Sequence, residues 1–454
     1  MNVFRSRRKK LATALKRPLV LFAGECRPMN YPTNLYPFRA GSNYLYFGGP
    51  PVAGGALLVE PESDGVDGCR LIRREIGFQE AVWIGEPPGD DELSAWSGLS
   101  EHTFLTPDAL AGKLKGRSAA YLAPPCIPTF EWAKSLGLSV PAADEVQPII
   151  DLRLYKDDHE LAAMRSAAKV SIDAQRAVAA AIRPGRRESE MHAAFMSVLC
   201  THQCRPSFTP IITVHGEILH TETYPGTLTP GRMLLVDAAG EEPGGYASDV
   251  TRTYPVDGKF SGVQRHLYDT VLRAQRAAIA ACVPRRRFRD IHDLAARIMC
   301  EGLITADLLK GRAEDLVARA AHALFFTHGL GHLIGLDVHD MEDFGDQAGY
   351  APGRARRTEF GNKFVRLDRD LAPGMTLTIE PGIYLVPALW REEDYIRPFD
   401  DCVNRRAVEA LLEQQFGGIR IEETICVRAS GGPEILTVEL PNEADPVAAM
   451  VGRP

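Results

Sequence analysis

Asp237, Asp249, His332, Glu380 and Glu422 each lie within an apolar or glycine-rich stretch, where an unpaired charge is costly to bury. Asp237 ends the run Leu234-Leu235-Val236, and Asp249 sits in the returning segment Tyr246 to Tyr254. A hairpin turning near Glu242 to Gly245 brings the two carboxylates side by side, and like charges that close call for a cation. Glu380 ends the β-branched run Thr376-Leu377-Thr378-Ile379 ahead of a Pro381-Gly382 turn. Glu422 and Glu423 follow Ile419-Arg420-Ile421, so on a strand one of the two faces inward and the other outward. Taken singly, either aspartate reads equally well as a turn cap and either glutamate as a solvent-facing acid on an edge strand. The pairing is harder to explain that way.

His328, His332 and His339 crowd into Thr327-His328-Gly329-Leu330-Gly331-His332-Leu333-Ile334-Gly335-Leu336-Asp337-Val338-His339-Asp340, where glycines at 329, 331 and 335 permit close backbone approach. Four carboxylates and an imidazole form an oxygen-rich donor set whose charge two divalent cations would balance. A dinuclear centre is therefore expected, with hard donors favouring Mn²⁺ or Co²⁺ over Zn²⁺ and Mg²⁺.

These side chains need a scaffold. At about 150 residues per domain, 454 residues correspond to two or three domains, and 45% hydrophobic with 24% charged residues is an ordinary globular composition. A formal charge of −7 gives no general attraction for nucleic acid. The nine cysteines form no CxxC pair and are odd in number, which suits a reducing compartment such as the cytoplasm. Basic residues cluster at the amino terminus (Arg5, Arg7, Arg8, Lys9, Lys10, Lys16, Arg17), but Leu19 to Gly24 is too short for a signal core or a membrane span. An amphipathic helix carrying Leu11 and Leu15 is expected there, leading into a first buried strand.

Residues 1–150 alternate short apolar runs with Pro and Gly punctuation: Leu19 to Phe22, Ala56 to Val59, Ala81 to Ile84 and Ala119 to Leu122. They predict an α/β domain with a mixed sheet and no catalytic residues. Residues 151–454 predict an α+β domain. A long helix begins after Lys156, capped by Asp157 or Asp158 and stopped at Pro184-Gly185. A second helix and a strand at Ile211 to Val214 follow, then the hairpin Met233 to Tyr254 and helices near 262–282 and 288–302. The His-rich loop, a strand into Glu380 and a final strand through Glu422 complete the order.

The segments ASDVTRTYPVDGKF (247–260), HGLGHLIGLDVHD (328–340), TIEPGIY (378–384) and GIRIEE (418–423) resemble, in content and order, the site segments of the pita-bread metallopeptidases, in the branch of prolidase (Xaa-Pro dipeptidase) and aminopeptidase P. YPFRAGSNYLYFGG (36–49) and LYKDDHELAAMRSAAKVS (154–171) resemble that family's creatinase-like first domain and the entry to its pita-bread catalytic domain. The resemblance implies Asp237, Asp249, His332, Glu380 and Glu422 as metal ligands. Asp249 and Glu422 would bridge the ions, and Glu380 would also serve as general base. It implies His220 and His339 as catalytic substrate-site histidines, with His328, Arg366 and Arg420 binding substrate. The interval from Asp237 to Asp249 is one residue longer than the family's usual spacing, a surplus that the Gly240 to Gly245 turn can absorb.

The long intervals from His332 to Glu380 and from Glu380 to Glu422 resemble prolidase more than aminopeptidase P. So does VRLDRDLAPGM (365–375), whose first arginine, Arg366, matches the residue that grips a dipeptide's free carboxylate. A two-pronged guanidinium there would restrict substrates to two residues. The implied substrates are small peptides with proline second, neither nucleic acid nor membrane is an expected partner, and the implied assembly is a homodimer through the first domain. Competing expectations are an aminopeptidase acting on longer peptides, a side activity on organophosphorus esters and a non-catalytic binding module. Retention of all five ligands argues against the last.

Overall fold

The computed structural model describes residues 3–61 and 68–453, and the chain divides into two compact units, Met1–Arg153 and Leu154–Pro454. In the first, the strands Phe104–Leu105, Cys69–Ile72, Ala56–Val59, Leu19–Phe22 and Ala120–Leu122 lie side by side in that order in one mixed sheet. The central pairs are antiparallel, while Leu19–Phe22 runs parallel to Ala120–Leu122, and Cys69–Ile72 to Phe104–Leu105. Val20, Phe22, Ala56, Leu58 and Ile72 pack with Leu110, Leu114 and Ala133 from flanking helices. The amino-terminal helix, Val3–Ala14, buries Leu11 and Ala12. It also buries Arg8, whose Nη1 donates to the carbonyls of Phe47 (2.8 Å) and Ser97 (2.9 Å).

One expected strand is absent. Ala81 to Ile84 belongs to the helix Phe78–Ile84, which follows Gly77, carries Glu80 in its first turn and stops at Gly85, where φ is +83°. None of its residues is buried. A four-residue apolar run does not distinguish strand from helix, and the bracketing glycines decided it locally.

The second unit opens with the helix Asp158–Ala181. Asp157 Oδ1 accepts from the Glu160 amide (2.9 Å) and Glu160 Oε2 accepts from the Asp157 amide (3.1 Å), a reciprocal cap that starts the helix there. Gln175, buried on this helix, sends Nε2 within 3.2 Å of the carbonyls of Val236, Ala238 and Val250, the backbone flanking both aspartates. Val236 belongs to a three-stranded antiparallel sheet ordered Thr251–Pro255, Met233–Asp237, Ile211–Thr213, in which Asp237 faces Thr251, and Ala238 and Val250 lie just beyond its strand ends. The hairpin turns at Glu242 to Gly245: the Glu242 amide donates to Tyr246 O and the Gly245 amide to Glu242 O, with Gly245 at φ +97°. Helices Glu188–Thr201, Gly262–Ala281 and Phe288–Thr305 are the other long helices among the described residues of this unit.

The expected final strand is interrupted. Gly418–Arg420 pairs with Gly382–Tyr384, and Glu423–Cys426 pairs with Thr376–Ile379. Both pairings follow one register, Gly382 against Arg420 and Ile379 against Glu423, so Glu380 falls opposite Glu422. Pro381 has no amide hydrogen to continue the ladder. The Glu422 amide donates instead to Thr251 O at 3.1 Å, which ties this break to the aspartate-bearing sheet.

Candidate metal centre

The His-rich loop is drawn against the strand before Glu380. Thr378 N donates to His332 O (3.0 Å), Glu380 N donates to Leu330 O (2.8 Å), and a Cβ on Gly331 would collide with the Thr378 carbonyl. Farther along, Lys156 Nζ donates to Asp340 Oδ2 at 2.8 Å, both side chains being almost wholly buried. His332 is therefore held from two directions. Its Nδ1 lies 3.0 Å from the Leu333 carbonyl, an acceptor that puts the proton on Nδ1. The lone pair is left on Nε2, which lies 3.5 Å from both Asp249 Oδ2 and Glu380 Oε1.

Asp249, His332 and Glu422, all buried, each offer a donor atom within 4.8 Å of the others. Asp237 stands outside that tight group, its Oδ2 taken by Arg420 Nη2 at 2.5 Å. Asp237 Oδ1 and Asp249 Oδ1 are buried without a hydrogen-bond partner. Burial, followed by the charge of Asp237, holds the Asp249 carboxyl well above its usual range. Burial and the charges of Asp249 and Glu380 do the same to Glu422, and burial raises Glu380 to about 7. A lone pair facing two carboxylates, orphaned oxygens and mutual repulsion are the features a divalent cation removes, so the donor set fits divalent metal.

These groups line a cavity of about 870 Å³ together with His220, His328, His339, Arg366 and Arg420. All ten sequence-derived site residues line it, so the chain brings every one of them together. His220 lines the cavity with part of its surface open, and partial desolvation followed by the charge of Arg420 holds its ring below its usual pKa. Arg420 is buried and fully engaged: Nη2 on Asp237, Nη1 on the Tyr384 hydroxyl (2.8 Å) and Nε on Thr251 Oγ1 (3.3 Å). The Tyr384 oxygen also lies 2.8 Å from His328 Nε2, and burial keeps His328 neutral, its pKa lowered to about 3. Arg366, at the cavity wall and partly exposed, directs Nη1 to both oxygens of Glu342 at 2.7 Å.

Glu423 requires a correction. It points away from the centre, as alternation demands, but into the interior and not to solvent. It is 1% exposed and receives hydrogen bonds from Arg252 Nη2 (2.6 Å), Asn442 Nδ2 (3.2 Å) and the Thr437 hydroxyl. Arg252 also donates from Nη1 to the carbonyls of Glu422 (2.7 Å) and Thr251 (3.0 Å), so it fixes the backbone that presents Glu422. Strand alternation identifies opposite faces but not what covers them.

Tyr384, Thr251, Arg252 and Glu342 were not singled out by sequence. Tyr384 closes the TIEPGIY segment and Thr251 and Arg252 sit inside ASDVTRTYPVDGKF, so motif membership was an available signal for these three. Glu342 lies just past the His-rich segment and carries no such mark.

Comparison with known proteins finds matches over both parts of the chain. The family described as "Metallopeptidase family M24" matches residues 162–429, and "Aminopeptidase P, N-terminal domain" matches residues 4–120. Xaa-Pro aminopeptidase of Escherichia coli K12 is 28% identical over 434 residues, covering 92% of this chain and 89% of that protein. Human Xaa-Pro dipeptidase is 36% identical over 302 residues, 64% of this chain and 58% of that protein. The solved structure of proline aminopeptidase P II from Yersinia pestis superposes with a TM-score of 0.79 at 26% identity, covering 99% of this chain and 98% of that one.

Proposed function

This chain belongs to metallopeptidase family M24, and we propose that it is a dinuclear exopeptidase hydrolysing the bond before proline, with Xaa-Pro dipeptides as its preferred substrates. The observation that carries the reading is the meeting of Glu380, Glu422, Asp249 and His332 beside Asp237, at a cavity whose wall bears Arg366. Asp237, Asp249, His332, Glu380 and Glu422 would hold the ions, with manganese favoured by the oxygen-rich set. When bound, the ions supply Lewis acidity and an activated water.

The bond before proline is a tertiary amide whose nitrogen must be protonated to leave. Glu380 takes the proton from the attacking water and returns it to that nitrogen. His339 stabilises charge developing on the scissile carbonyl oxygen, and His220 contacts the proline end. Arg420 orients Asp237, and Tyr384 holds His328 on the same wall. Arg366 receives the free carboxylate of the dipeptide.

A second reading, an aminopeptidase acting on longer peptides, is favoured by the near full-length likeness to aminopeptidase P proteins. Relative turnover of Gly-Pro and Arg-Pro-Pro separates the two. Faster cleavage of Arg-Pro-Pro would overturn the dipeptidase reading. Failure of both substrates in manganese-loaded protein would overturn the peptidase reading itself. The proposal includes a homodimer assembled through the first domain, tested by light scattering, and residence in the cytoplasm. Among the described residues no helix is long and apolar enough to cross a membrane.

A further inference from the structure

Glu342 lies outside the lining of the main cavity, yet it touches two side chains that line it. Its Oε2 accepts from Arg366 Nη1 (2.7 Å) and lies 3.2 Å from His339 Nδ1, while Oε1 also takes Arg366 Nη1 at 2.7 Å. The backbone is shaped for this. Met341, fully buried, adopts φ +64°, and the next amide, that of Glu342, turns back to donate to His339 O at 3.3 Å. Burial alone would lift the Glu342 carboxyl, but the His339 hydrogen bond and the Arg366 charge outweigh it and bring the pKa down to about 2.

Only one nitrogen of Arg366 is used. Among the described residues its Nε and Nη2 donors make no hydrogen bond, and Arg366 lines the cavity. A guanidinium anchored through one nitrogen keeps its other edge for a second carboxylate. The same Glu342 oxygen that anchors Arg366 lies 3.2 Å from His339 Nδ1, and the His339 ring stands edge-on to that of His332 with centroids 4.2 Å apart, so one carboxylate holds both the guanidinium and a ring beside the centre.

We propose that Glu342 is the positioning residue that sets substrate length: by holding Arg366 and His339 on one carboxylate, it fixes the separation between the group that meets the substrate's terminal carboxylate and the group beside its scissile carbonyl. This rests on the dipeptidase reading and deepens it. A dipeptide spans that separation with its proline alone. A longer peptide places an amide where the carboxylate belongs and gains nothing from the free edge of Arg366.

The test is a double-mutant cycle on the manganese-loaded, full-length protein with Gly-Pro and Arg-Pro-Pro, using Glu342→Gln, Arg366→Ala and the pair. The isosteric Gln keeps the shape and removes the charge. Expected for Glu342→Gln is a kcat that falls by the same factor for both substrates through His339, and a KM that rises about tenfold for Gly-Pro alone. The Gly-Pro to Arg-Pro-Pro ratio of kcat/KM then falls about tenfold, and adding Glu342→Gln to Arg366→Ala changes that ratio by less than about twofold. An unchanged ratio in Glu342→Gln, or effects of the two substitutions that multiply, overturns the proposal. Arg366→Ala with an unchanged ratio overturns the carboxylate-binding role beneath it, a failure distinguishable because it appears in that single variant. Should Glu342→Gln not fold, Glu342→Asp, which keeps the charge but shortens the reach, must lower the same ratio; no change there also overturns the proposal.

Discussion

Glu422 and Glu423 are adjacent in the chain, equally buried and on opposite faces of one backbone segment. Glu423 looks into a cluster the protein completes by itself. Arg252 spends its donors on the Glu423 carboxylate and on the carbonyls of Thr251, Glu422, Leu440 and Pro441. Glu422 looks into a cluster left incomplete: among the described residues its one side-chain donor is the Thr251 hydroxyl at 2.6 Å, and around it stand Asp249, Glu380 and a histidine lone pair. Burying acids does not by itself signal a metal. A metal is signalled where buried acids meet one another without enough protein donors, and the two neighbours differ in that respect.

The largest way to sharpen the contrast is substitution on the metal side. Glu422→Gln or Asp249→Asn removes several kcal/mol of charge stabilisation, so kcat/KM should fall on the order of 10³-fold. The folded state should survive, because a repelling charge is lost. Steady-state kinetics with circular dichroism checks both halves, and a variant retaining more than a tenth of wild-type activity would refute the assignment.

On the other side the effect should fall on stability. Arg252→Met strands Glu423 and several carbonyls, costing about 3–5 kcal/mol as for other broken buried pairs. Chemical denaturation measures it. Equal loss from Glu423→Gln is not expected, since the amide can still accept from Arg252.

Metal removal should expose the repulsion as a pH dependence. With folded-state carboxyls raised, the metal-free protein holds protons that the unfolded chain releases near pH 4.5. The stability these carboxyls contribute is therefore full below that pH and lost as pH rises through about 7, the value for Glu380. A melting temperature declining by several degrees over this range in chelator, and not in manganese, is the expected outcome. A flat profile in chelator would refute the mutual repulsion among these acids.

The smallest effect is at the cavity wall. Arg366→Ala should weaken dipeptides by about tenfold to a hundredfold, the range for a hydrogen-bonded charge. It should barely alter melting, because its partly exposed pair with Glu342 contributes little to folding. Melting curves beside substrate titrations test this.

The donor set was legible because each member interrupts an apolar strand or a glycine-rich loop, positions where charge needs a reason. The helix Asp158–Ala181 was legible from its capping residues and Pro-Gly stop. The helix Phe78–Ile84 was not, since a short apolar run carries no period long enough to separate 2.0 from 3.6 residues.

From the order of residues alone came the kinds of donor, their number and the strands and loop that carry them, because side-chain chemistry and hydrophobic periodicity are local properties. Tertiary structure alone decided that Glu380 stands opposite Glu422, that Glu423 finds Arg252, and that Glu342 reaches both Arg366 and His339. Those outcomes depend on strand register and on a single left-handed residue, Met341, and a contact between distant segments is settled by which partners packing leaves within reach.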